Sequence, residues 1–68
     1  MSQWQKVFED TTPHRIEIVK DILSDRGMNP VVINKKDAAY QFGHFEVQVQ
    51  SDHVIAALRI IKEEIKFG

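Results

Sequence analysis

The chain has 68 residues, of which 43% are apolar and 28% charged, with a formal net charge of -1 and no cysteine. This is ordinary globular composition, and it excludes disulfides and thiolate metal sites. It also lacks the clustered basic surface that binding to a phosphate backbone requires, so no nucleic-acid partner is expected.

Met1 to Lys6 contains no apolar signal region, and no run approaches membrane-spanning length. The expectation is a cytoplasmic protein with no membrane partner. A single domain spanning 1–68 buries only about 60% of its unfolded surface, so its core is small. Without crosslinks, self-association becomes a natural source of added stability.

Taken in order, residues 3–9 hold Trp4, Val7 and Phe8, side chains suited to a short strand. Val7 alternates away from Trp4 and Phe8, so the pattern leaves the core face of this strand open. Asp10-Thr11-Thr12-Pro13 predicts a turn and a helix start, with Thr12 as cap and Pro13 at the first helical position. Ile16, Ile18, Val19, Ile22 and Leu23 then form one apolar stripe, with Glu17, Lys20, Asp21 and Ser24 opposite. Gly27 is the expected left-handed stop, with Met28 folding back toward Leu23.

After the Asn29-Pro30 turn, residues 31–34 predict a short strand, residues 35–43 a loop and residues 44–50 a second clear strand. In that last strand Phe45, Val47 and Val49 point one way and His44, Glu46, Gln48 and Gln50 the other, as in a sheet covered on one face. Ser51 is the expected cap of a final helix, with Asp52 in its first turn. Val54, Ala57, Leu58, Ile61 and Ile65 would line its inner face, flanked by Ile55 and Ile60. Arg59 and Glu63 would make an exposed pair of little energetic weight.

The order β-α-β-β-α predicts an α+β domain, a truncated ferredoxin-like fold with a three-stranded sheet in the order 2-3-1 and two helices on one face. The first strand would be an exposed edge, and Val32, with Trp4 or Phe8, would stand on the open sheet face. Either surface could support a homo-oligomer. The same topology gathers the end of the first strand, the start of the first helix and the strand 2–3 loop at one pole. Asp10, Thr12, His14, Lys35, Lys36, Asp37, Tyr40, Phe42 and His44 are therefore the candidate residues for binding a protein partner or small ligand.

Tyr40 and Phe42 read as anchors for such a partner or as cover for the end of the domain. Lys35-Lys36 beside the helix start could hold an anion, or form a solvated loop with Asp37. His14 and His44 with Asp10 or Glu9 match no metal-ligand spacing, and no nucleophile or oxyanion device is visible. The leading reading is a non-enzymatic signalling or interaction module with no catalytic residues, no metal and no cofactor. The alternative is a small metal-dependent or acid–base enzyme or accessory using His14, His44 and Asp10.

Trp4, Val7-Phe8, Glu17-Ile18-Val19-Lys20 with Ile22-Leu23, Gly27, Asn34-Lys35-Lys36-Asp37, Tyr40, Phe42-Gly43 and Phe45-Glu46-Val47-Gln48-Val49, in that order and spacing, resemble a known small family. It is a bacterial domain-of-unknown-function family described as a prokaryotic signal-transducing protein, and the likeness is to its short Bacteroidetes-type members. The resemblance implies a ferredoxin-like sheet distantly similar to the PII-type regulators, in which the strand 2–3 loop contacts effectors and target proteins. Here that loop is far shorter, and no nucleotide-binding motif or catalytic residue comes with the family.

Overall fold

A computed structural model describes residues 3–36 and 43–65. Strands β1 (Trp4–Asp10), β2 (Val31–Lys36) and β3 (Gly43–Gln50) form one sheet in the order β1-β3-β2. Both outer strands run antiparallel to β3, and so parallel to each other. Helix α1 (Pro13–Asp25) joins β1 to β2, and α2 (Val54–Glu64) follows β3 after a single 3-10 turn at Ser51–His53. The expected α+β arrangement is present, with the strand order as anticipated. No helix among the described residues is long and apolar enough to cross a membrane.

The core explains why both helices share one face. Val47 and Val49 of β3 are completely buried in a single cluster with Ile16, Val19 and Leu23 of α1 and Ala57 and Ile60 of α2. Alternation then sends His44, Glu46, Gln48 and Gln50 to the other side, away from both described helices. The described chain is a slab, 35 × 34 × 15 Å in its Cα extents, with a radius of gyration of 12.1 Å. A compact chain of this length would have about 11 Å.

The broken alternation of the first strand has a specific cause. Lys6 pairs with Gln48 and Phe8 with Val47, so Val7 is an extra residue in a β-bulge. The bulge lets Val7 be buried while Phe8, opposite Val47, also packs against the core. Trp4, opposite Gln50, is left on the open face at 46% exposure.

Helix α1 begins as expected with Thr12 at the cap position and Pro13 in the first turn, but the Thr12 side chain makes no capping bond. Asp10 Oδ1 instead accepts the Thr12 backbone N–H at 2.8 Å, bracing the turn that enters the helix. At the far end Gly27 has φ +80. Its N–H donates to the Ser24 carbonyl at 3.0 Å and that of Met28 to the Leu23 carbonyl at 3.2 Å, a Schellman closure. Met28 is buried in the same cluster as Leu23.

Several expectations require correction. Lys35 and Lys36 belong to β2, paired with His44 and Gly43, because the β2–β3 ladder runs two residues beyond the expected strand of 31–34. Ser51 does not cap α2. Its backbone N–H donates to the Gln3 carbonyl at 2.7 Å, which prolongs the ladder and delays the helix behind a 3-10 turn. Finally, Ile60 is buried in α2 whereas Leu58 is 47% and Ile55 78% exposed. Apolar residues lie round much of this helix, so periodicity alone could not choose the buried arc. The anticipated Arg59–Glu63 pair is not among the ion pairs of the described residues; Arg26 of the α1 terminus pairs with Glu64 instead.

Candidate functional site on the open sheet face

Directly opposed residues of neighbouring strands share a face, so the register maps the uncovered side of the sheet row by row. Trp4 stands beside Gln50, and Lys6 beside Gln48 and Val31. Glu9 stands beside Glu46 and Ile33, and His44 beside Lys35. The face is thus graded, with Trp4 and Val31 toward one end and a charged group at the other. Val32, expected here, instead faces the helices opposite Val47; Val31 and Ile33 take its place.

At the charged end, His44 Nε2 lies 3.4 Å from Glu9 Oε2 and 3.3 Å from Glu46 Oε2. Lys6 Nζ is 3.2 Å from the same Glu9 oxygen. Gln48 Nε2 donates to Glu46 Oε1 at 3.2 Å. Partial desolvation works to raise the Glu46 pKa, but the hydrogen bonds from His44 and Gln48, with the charges of Lys35 and Lys6, outweigh it and hold the carboxyl below its ordinary value. Strand pairing fixes the backbone positions of all three residues in the Glu9–His44–Glu46 group, because each lies within the ladder.

The expected pole is only partly assembled. Asp10, Thr12, Lys35, Lys36 and His44 do lie toward the same end of the sheet, but on different sides of it. Asp10 is opposite Phe45, on the helix side, whereas His44 and Lys35 are on the open side. A site built from His14, His44 and Asp10 is therefore divided by the sheet itself. Asp10 is engaged by Thr12 and Arg15, and His14 is exposed in the first turn of α1. Lys35 and Lys36 alternate to opposite faces, so they do not form a joint anion site at the helix start. Asp37, Tyr40 and Phe42 fall outside the described residues.

Sequence reasoning missed Glu46 as the partner of Glu9 and His44. The signal was present in the i,i+2 spacing of His44 and Glu46. Placing Glu9 across from them required the bulge, which shifts the register after Lys6. On the other side of the sheet, Pro13, Ile16, Glu17, Lys20, Val32 and Phe45 line a groove of about 200 Å³. That is below the size of typical small-molecule pockets.

Comparisons with protein-family models, with curated proteins and with solved structures gave no match to this chain.

Proposed function

We propose that this chain is a non-enzymatic interaction module whose open sheet face docks a second copy of itself. The observation that carries the reading is the uncovered face, on which Trp4 is 46% and Val31 39% exposed. Aromatic side chains on a rigid strand offer a large contact area at low entropic cost. The face also suits a two-fold contact with itself, because Lys6 and Lys35 stand beside Glu9 and Glu46 and can meet the opposite charges of a partner copy. A net charge of -1 leaves little long-range repulsion between copies.

The edge of β1 is the less suitable surface. It carries the Val7 bulge and the charged Lys6, both of which discourage addition of another strand. Residues 37–42, between β2 and β3 in the sequence, include Tyr40 and Phe42, and in this reading that segment contacts a protein or small ligand. A module acting through contacts fits the signalling role implied by the resemblance to prokaryotic signal-transducing proteins.

Sedimentation equilibrium tests the proposal. The wild type should sediment as a dimer at high micromolar concentration, and Trp4→Ala should shift it to monomer while its circular dichroism is unchanged. A wild type that stays monomeric into the millimolar range overturns the reading, as does a Trp4→Ala dimer of equal affinity.

A further inference from the structure

We infer that Glu9, His44 and Glu46 form a binding site for a single divalent transition-metal ion of the zinc type. Glu9 and Glu46 also belong to the face proposed to dock a second copy, but the metal site needs neither Trp4 nor a partner copy to be complete. One imidazole nitrogen and two carboxylate oxygens lie within 4.8 Å of one another. This mixed donor set suits zinc and its neighbours better than magnesium or calcium, which favour oxygen alone.

The spacing itself points to a common ligand. Two atoms each about 2.0–2.1 Å from a tetrahedral ion stand about 3.3–3.4 Å apart. The two separations from His44 Nε2 are 3.4 Å to Glu9 Oε2 and 3.3 Å to Glu46 Oε2. Both separations from His44 thus match the edge of a coordination tetrahedron, and the two carboxylate oxygens lie within 4.8 Å of each other.

The surroundings agree. Glu9 and Glu46 are directly opposed across the β1–β3 ladder, and like charges in that position destabilise a sheet unless a cation lies between them. Gln48 binds Oε1 of Glu46, the oxygen not directed at His44, and so orients the carboxylate as an outer hydrogen bond does around a metal. Lys6 now holds Glu9 Oε2, and its ammonium is the competitor that the ion would displace. Three protein ligands leave a fourth position for water.

Isothermal titration of the intact chain with zinc chloride decides the matter. The wild type should bind one equivalent, and His44→Ala and Glu46→Gln should each weaken binding at least tenfold. Lys6→Ala should tighten it by releasing Glu9, whereas His14→Ala, His53→Ala and Trp4→Ala should leave it unchanged. Circular dichroism of each variant identifies any that fails to fold, and Glu46→Gln, which keeps the side-chain shape, stands in should His44→Ala do so. Absence of saturable zinc binding by the wild type overturns the assignment. So does binding by folded Glu46→Gln at wild-type affinity, or an equal loss in His14→Ala. Retention of zinc binding by Trp4→Ala separates this result from that of the dimer experiment.

Discussion

Asp10 ends β1 and begins the turn into α1, and its carboxylate serves both. Oδ1 accepts the Thr12 N–H at 2.8 Å, and Oδ2 lies 3.5 Å from Arg15 Nη1. The hydrogen bond from the Thr12 backbone, aided by Arg15 and only partly offset by desolvation, holds the carboxyl below its ordinary value. A carboxylate whose pKa is depressed by folding stabilises the native state above the unfolded value, about 3.9 for Asp. That contribution is lost as the pH falls through the lower, folded value. Asp10→Ala should therefore lower the urea midpoint at pH 7, and the gap to wild type should shrink in acid. A gap of constant size from neutral to strongly acid pH would show that the charged carboxylate is not the stabilising form.

At the scale of elements, two glycines make contrasting demands. A Cβ on Gly43 would lie 2.9 Å from the Lys35 carbonyl oxygen, a backbone atom that cannot move aside without opening the hairpin. Gly43→Ala should cost about 1–3 kcal/mol, the usual range for forced overpacking. A Cβ on Gly27 would meet nothing within 4 Å, yet its φ of +80 is left-handed, and Gly27→Ala should cost about 1–2 kcal/mol for that reason alone. Denaturant titration of both variants checks the pair, and a neutral Gly43→Ala would contradict the β2–β3 register.

The Gly27 stop was legible in the sequence because glycine after an apolar helical stripe has few other uses. Gly43 falls within the expected 35–43 loop, because its constraint comes from a strand it pairs with and not from its neighbours in sequence. The same distinction separates β3, whose alternation could be read directly, from β1, whose bulge depends on the partner strand. It also explains the candidate site. His44 was found from sequence, whereas the carboxylates that face it were settled by register.

For the whole molecule, the decisive quantity is how little stability 68 residues can supply. At roughly 0.05–0.15 kcal/mol per residue the domain has about 3–10 kcal/mol in total. Leu23 is fully buried where α1 meets the sheet, and Leu23→Ala should cost about 2–5 kcal/mol, enough to leave much of the variant unfolded when dilute. If the open face docks a second copy, folding and association are linked, and concentration raises the apparent stability of any variant that keeps the interface. Thermal midpoints of the wild type and of Leu23→Ala should then both rise with protein concentration. That of Trp4→Ala should not, since Trp4 contributes to the face and not to the core cluster. Concentration-independent midpoints in all three would assign the stability to the single chain. The exposed Trp4 would then be a surface residue without a partner copy, because nothing but association couples the midpoint of a two-state monomer to its concentration.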